Sequence, residues 1–175
     1  GDMAMDLLNY TKERTPEYQR YELNEPLREV FLLMVHKAEK SGVILEKNLD
    51  DRLTEGWLDP KGIHRCILNL VTNAIDACTD ISCSQPRGKV TLRSQKIEGW
   101  AVEYQVIDNG CGMDPETQKK IFQRFFSTKG SRGTGLGLMI TKKIVDEHGG
   151  VIKCQSKTGK GTKFILRLPE KEKVY

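Results

Sequence analysis

Three glycines stand at every second position late in the chain, Gly133, Gly135 and Gly137, and they open directly onto apolar residues at helical spacing, Leu136, Ile140 and Ile144. Few folds accommodate such a run. An aromatic triplet leads into it (Phe122, Phe125, Phe126), followed by the polar, basic segment Ser127, Thr128, Lys129, Gly130, Ser131 and Arg132. The spacing predicts a mobile, glycine-hinged, cationic loop feeding a helix N-terminus. Free backbone N–H groups at a helix start, with glycines permitting close approach, form an anion site. Phosphate is the anion expected, because Thr128 and Lys129 can reach in from the same loop. The competing reading is a glycine-rich turn before a core helix, with a solvated basic run. The pattern lacks the G-x-G-x-x-G spacing of a dinucleotide fold. It also lacks a P-loop G-K-[ST], since Gly159-Lys160 is followed by Gly161.

The 175 residues suit one domain with a real core. A net charge of +4 with scattered basic residues, and no aromatic interleaving, argues against nucleic acid. No apolar run approaches the roughly eighteen residues of a membrane span, and no signal peptide is evident. A cytoplasmic location is expected, with no membrane contact by this segment. Five cysteines without a C-x-x-C pair argue against zinc and predict reduced thiols.

In chain order, residues 3–14 read as the tail of a helix broken at Thr15-Pro16. Gln19–Leu23 reads as a short strand. Asn24 is expected to cap a helix carrying Leu27, Val30, Phe31, Met34, Val35 and Ala38. Val43–Leu49 alternates as a strand, and a short strand surrounds Trp57-Leu58. Asp59-Pro60 signals a helix to about Cys78, with Asp59 as N-cap. Along that helix Asn69, Asn73 and Asp76 share one face; they are either solvated or require partners. An Asn oxygen also suits a hydrated Mg²⁺ that bridges phosphates. Two alternating stretches, Lys89–Ile97 and Trp100–Ile107, read as a hairpin about Glu98-Gly99. Pro115–Ile121 reads as a short helix. A final hairpin turns at Thr158-Gly159-Lys160-Gly161. The fold class expected is an α/β two-layer sandwich, with helices on one face of a mixed sheet.

At the end of the second alternating strand stands Asp108-Asn109-Gly110-Cys111-Gly112-Met113. A carboxylate there can accept a hydrogen bond from an exocyclic amine, and the glycines let a ring approach the backbone. An Asx turn is the structural alternative.

Taken in order, these segments resemble the ATP-binding domain of sensor histidine kinases. Asn69–Ala77 (NLVTNAIDA) is similar to the N box, Asp108–Met113 (DNGCGM) to the G1 box and Phe122–Phe126 (FQRFF) to the F box. Gly133–Leu138 (GTGLGL) is similar to the G2 box, and Gly159–Thr162 (GKGT) to the last glycine box. The match runs from Tyr18 to Leu168. It implies the Bergerat α/β sandwich shared with gyrase B, Hsp90 and MutL-type ATPases, with a mostly antiparallel sheet and a lid of the nitrogen-regulation type. Residues 1–15 would end a dimerisation helix, 16–169 would form the catalytic domain and 170–175 a tail.

The resemblance implies ATP and Mg²⁺ as cofactors. Asn73 would coordinate the metal, with Asn69 lining the same site and Asp76 near metal-held water. Asp108 would accept the adenine amine, with Gly110, Gly112, Met113, Phe122 and Thr162 around the base. Thr128 and Lys129 would touch the phosphates. Gly133, Thr134, Gly135, Leu136, Gly137 and Leu138 would supply phosphate-binding backbone and the hinge. Asn69 and Lys129 are carried over as the catalytic positions. Two departures stand out. Asp76 occupies a position where many such kinases have Lys or Arg. None of His36, His64 and His148 has the H-[ED]-x-x-x-P context of a phospho-acceptor, so all three read as surface or helix-end histidines. The acceptor is expected on the protein's own dimerisation domain in a homodimer, with a response regulator as the further partner.

Two other functions compete. ATP hydrolases of the gyrase–Hsp90–MutL group carry a water-activating Glu where this chain has Asn69, an amide unable to take a proton near neutral pH. A nucleotide-sensing module without transfer is disfavoured by the intact Asn73, Asp108, Lys129 and glycine run.

Overall fold

The computed structural model describes residues 15–80, 87–122 and 137–171. The reading of residues 3–14 as a helix, the aromatics Phe125 and Phe126, and most of the glycine-hinged loop lie outside the described residues. Strands β1 (Gln19–Glu22) and β3 (Glu55–Leu58) form a small antiparallel pair of their own. Between them come helix α1 (Glu25–Lys40) and strand β2 (Val43–Asn48). Then follow α2 (Pro60–Cys78), β4 (Gly88–Gln95), β5 (Val102–Asp108), α3 (Pro115–Lys120), α4 (Gly137–Glu147), β6 (Val151–Lys157) and β7 (Gly161–Leu168). The main sheet has the order β2-β4-β5-β7-β6. Only the β2–β4 pair is parallel. This is the two-layer mixed sandwich that the alternation predicts.

Register decides which residues face the helices. Val102, Tyr104, Val106 and Asp108 of β5 stand opposite Leu168, Leu166, Phe164 and Thr162 of β7. Because side chains alternate across a strand, these sets share the inner face. Against it pack Leu27, Val30 and Met34 of α1, Ile63, Ile67, Leu70 and Val71 of α2, and Ile140, Ile144 and Val145 of α4. Tyr104 is fully enclosed, and its hydroxyl donates to Leu23 O at 2.6 Å. Burial pushes its phenol well above the ordinary value. Asp108 thus continues a period-two run of core residues, which makes it a carboxylate on the helix side of the sheet.

Both expected N-caps stand at their helix starts, but neither caps through its side chain. Asn24 precedes α1 in a helical conformation with no side-chain cap bond. Its amide instead donates to Asp50 O and accepts from the Ser94 hydroxyl, tying α1 to β4. Asp59 has the extended backbone of an N-cap, but its side chain makes no capping bond. Its N–H donates to His148 Nε2 at 3.2 Å. Capping by side chain is found at Asp114, whose Oδ1 accepts from Thr117 N at 2.7 Å and starts α3.

Candidate nucleotide site

The site is built where the C-terminal end of β5, the second half of α2 and the β6–β7 turn converge. Asp108 is 6 % exposed. Its Oδ1 accepts from Gly110 N at 2.8 Å, and the Thr162 backbone N–H also bonds the carboxylate. Burial raises its pKa to about 6, while those two N–H groups oppose the rise. Cys78 and Cys154 flank it, and burial together with the Asp108 charge lifts both thiols, Cys154 to about 12. The result is an ionisable acceptor in a weakly polar setting, where a hydrogen-bonded ligand gains more than it would in water.

Each glycine around Asp108 answers a local steric demand. Gly112 has φ +69°, and a Cβ there would lie 2.0 Å from Lys157 O. Gly161 has φ +116°, and its Cβ would lie 2.0 Å from Asp108 O. Only glycine tolerates both the left-handed backbone and the contact. At Gly110 a Cβ would meet the Ala77 main chain at 2.7 Å, so the loop rests directly on α2. Gly159 N donates to Cys111 O at 2.7 Å and joins the two glycine turns. Met113 N donates to Ser156 Oγ, and Ser156 Oγ lies 2.7 Å from Thr162 Oγ1. Gln118 of α3 donates to Met113 O and Ser156 O, while Phe122 and Met113 pack partly buried on the core.

The polar face of α2 is half-buried, not fully solvated: Asn69, Asn73 and Asp76 are all of intermediate exposure. Asn73 lies one turn, about 6 Å of helix rise, before Ala77, on which the Asp108 loop rests. Asn69 Nδ2 donates to Gly137 O at 3.2 Å and to Thr141 Oγ1 at 3.3 Å, so it fastens α2 to the first turn of α4. Thr141 in turn donates to Gly137 O. Leu138 packs partly buried against the core. The structure therefore joins Asp108, Gly110, Gly112, Met113 and Thr162 in one loop cluster that rests on α2, and Asn69 and Gly137 at the α2–α4 contact, with Asn73 and Asp76 on the α2 face between; Phe122 and Leu138 pack on the core. Thr128, Lys129, Gly133, Thr134, Gly135 and Leu136 lie outside the described residues.

Among the described residues no cluster of three or more His, Cys, Asp or Glu side chains could hold a metal by itself. The oxygens of Asn69, Asn73 and Asp76 on one helix face fit the other mode, a Mg²⁺ held by one or two protein oxygens with phosphates and water supplying the rest.

Sequence reasoning missed Ser156, Thr141 and Asn109. Asn109 Oδ1 accepts from Lys89 N and its Nδ2 donates to Arg87 O, which anchors the loop to the start of β4. Ser156 was accessible by counting pairs outward from the Gly159 turn, which sets it opposite Thr162. The expectation of reduced thiols throughout is also corrected. Cys66, Cys78 and Cys154 are thiols, but Cys111 is disulfide-bonded. Spacing alone does not reveal this bond. Of the histidines, His36 is exposed, whereas His148 at the end of α4 is fully buried.

Comparison with known proteins agrees with this geometry. Residues 58–172 match the family described as histidine kinase-, DNA gyrase B-, and HSP90-like ATPase. The chain is 33% identical over 167 residues to the signal transduction histidine-protein kinase AtoS of Escherichia coli, covering 95% of this chain and 26% of AtoS. It is 35% identical over 170 residues to sporulation kinase C of Bacillus subtilis, covering 95% and 37% respectively. It thus spans between about a quarter and two fifths of these relatives. Among solved structures, the catalytic domain of histidine kinase ThkA superposes with a TM-score of 0.74 at 34% identity, covering 88% of this chain and 96% of that one. ThkA in complex with its response regulator TrrA gives a TM-score of 0.79 at 32% identity, covering 97% and 47%. No helix among the described residues is long and apolar enough to cross a membrane. With a family match over about two thirds of its length and a shared fold at 34% identity with a histidine kinase catalytic domain, the chain belongs to the histidine kinase-, DNA gyrase B-, and HSP90-like ATPase family, as the ATP-binding catalytic domain of a histidine kinase.

Proposed function

We propose that this domain binds Mg·ATP and passes the γ-phosphoryl group to a histidine on the dimerisation domain of its own polypeptide, from which a response regulator receives it. The observation that carries the reading is Asp108, an enclosed carboxylate held by two backbone N–H groups with acceptor capacity to spare. It would accept the exocyclic amine of adenine, with Thr162 and Ser156 hydroxyls beside it. Asn73 would give an oxygen to Mg²⁺, with Asp76 and Asn69 on the same face. When bound, the metal neutralises phosphate charge. In the transfer the bond from the γ-phosphorus to the bridging oxygen breaks, a phosphorus–nitrogen bond forms, and ADP leaves. Such chemistry rests on positioning and charge stabilisation. Asn69 supports transfer over hydrolysis: its amide nitrogen is engaged by α4 and it cannot act as a base for water. Thr128, Lys129 and the Gly133–Leu138 segment enter this reading through the resemblance alone, as do the homodimer and the cytoplasmic location.

The test supplies the dimerisation segment as a separate polypeptide with labelled Mg·ATP. Label should pass to that segment in an acid-labile, base-stable form, as expected for a phosphoramidate. Asn73→Ala should abolish labelling while the circular dichroism spectrum stays unchanged. Rapid phosphate release by the domain alone would place it with the hydrolases instead, and acid-stable label on its own Ser or Thr would make it a kinase of another specificity.

A further inference from the structure

The face of the main sheet turned away from the helices carries Lys89 and Arg93 of β4, Lys163 and Arg167 of β7, and Lys153 and Lys157 of β6. Only Glu46 and Glu103 oppose them, in ion pairs Lys89–Glu46 at 3.2 Å and Arg167–Glu103 at 2.7 Å. Six cations and two carboxylates leave a surplus of four, equal to the net charge of the whole chain, +4. This face therefore carries a local excess of positive charge. Arg93, Lys153, Lys157 and Lys163 meet no carboxylate among the described residues.

Between these cations the face is aliphatic and neutral. Ile107 stands next to Lys163 across the ladder, Ile165 next to Lys153, and Val151 next to Arg167. Gln105 pairs with Ile165 and with Arg93; it is 6 % exposed, and its Oε1 is enclosed with no hydrogen-bond partner. Its Nε2 is engaged by Glu103. The domain leaves a buried acceptor in the middle of this face without a donor, which native structures seldom do.

We propose that this open sheet face docks the acidic surface of another protein domain. Cations spread over a flat, otherwise neutral face complement an acidic protein surface and set the orientation in which it docks. Nucleic acid fits less well, because the face carries no aromatic side chain to stack on bases. A lipid surface fits less well, because Ile165 is 7 % exposed and lies below the level of the lysines, so nothing apolar protrudes to insert. The site of nucleotide binding lies on the opposite, helix-covered face, so both can be occupied together.

The test titrates the ¹⁵N-labelled domain, at low salt, with poly-L-glutamate, with a short DNA duplex and with phosphatidylserine vesicles at matched charge. The expected result is that poly-L-glutamate shifts amides of β4, β5, β6 and β7 in preference to those of α1. Lys153→Glu with Lys163→Glu should weaken this binding at least tenfold, while Lys37→Glu with Lys40→Glu on α1 should change it less than twofold. ATP affinity should be the same in both double variants, which reports an intact fold. The proposal is overturned if the shifts centre elsewhere, if the Lys153/Lys163 variant binds like wild type, or if DNA or vesicles occupy this face more tightly than the polypeptide.

Discussion

Replacing Asp108 with an asparagine exchanges one oxygen for an amide nitrogen and removes an ionisable acceptor. In the native site Gly110 N and Thr162 N both donate to the carboxylate. An amide has one acceptor oxygen. Either its NH₂ faces one of those backbone donors, or it turns toward the ligand and presents a donor where the adenine amine also donates. Losing a hydrogen bond to a charged group costs about 1.5–3 kcal/mol, or roughly tenfold to a hundredfold in ATP affinity. A second measurement separates this cause from general damage. With a pKa of about 6, Asp108 protonates as the solution is acidified through that value. Wild-type ATP affinity should therefore fall below about pH 6, by up to about tenfold per pH unit, while the Asp108→Asn variant should show no such dependence. Isothermal titration at pH 5, 6, 7 and 8 reads both effects. Equal affinity of the two proteins at pH 8, or parallel pH profiles, would refute the role given to Asp108.

The same carboxylate has a stability consequence. Its folded pKa is raised from 3.8 to about 6, so its contribution is most favourable below pH 4 and is lost as pH rises through 6. Two units correspond to about 3 kcal/mol, so the stability difference between wild type and Asp108→Asn should move by about that much, against wild type, from pH 4 to pH 7 in urea titrations. Gly161→Ala forces a methyl group onto Asp108 O at positive φ and should destabilise the domain by roughly 2–4 kcal/mol, with loss of ATP binding, as read by thermal melts. Ser156→Ala leaves Met113 N without its acceptor and should cost about 1–2 kcal/mol, with weakened nucleotide binding and an unchanged Mg²⁺ dependence.

Much of the fold was legible because two periods dominate it. The alternation through Val102, Tyr104 and Val106 sets Asp108 in phase with the core, and the stripe from Ile63 to Cys78 leaves Asn69 and Asn73 beside it. The order of the boxes carries the family, which the comparisons bear out. What escaped reading depends on contacts between residues far apart in the chain. Asn24 carries the local marks of a side-chain N-cap, yet its amide oxygen accepts from Ser94, 70 residues away, and the Asp59 main-chain N–H likewise finds His148, 89 residues away. Glycine at Gly112 and Gly161 is required by a carbonyl oxygen of the protein itself, a long-range contact that no local pattern announces. The separate β1–β3 pair could not be distinguished from edge strands of the main sheet, since four-residue strands carry no information about their partners.

His148 gives the helix pair a mechanical property. Its Nδ1 lies 2.9 Å from Ile144 O and its Nε2 receives the Asp59 N–H, so the ring is a neutral pin through the far end of α2 and α4. Asn69 pins the near end, to Gly137 O. The pins are about ten residues apart on α2, roughly 15 Å of helix rise. Helix α4 is thus held at both its ends against the first half of the antiparallel α2, and the pair forms a strut. Tyr18 grips the same far end, edge-on to His148 at 5.1 Å and donating to Glu147 O. A displacement at Tyr18 is thus carried along α4 as a tilt and reaches α2 at Asn69, on the helix face that also holds Asn73 and Asp76, without the helices coming apart.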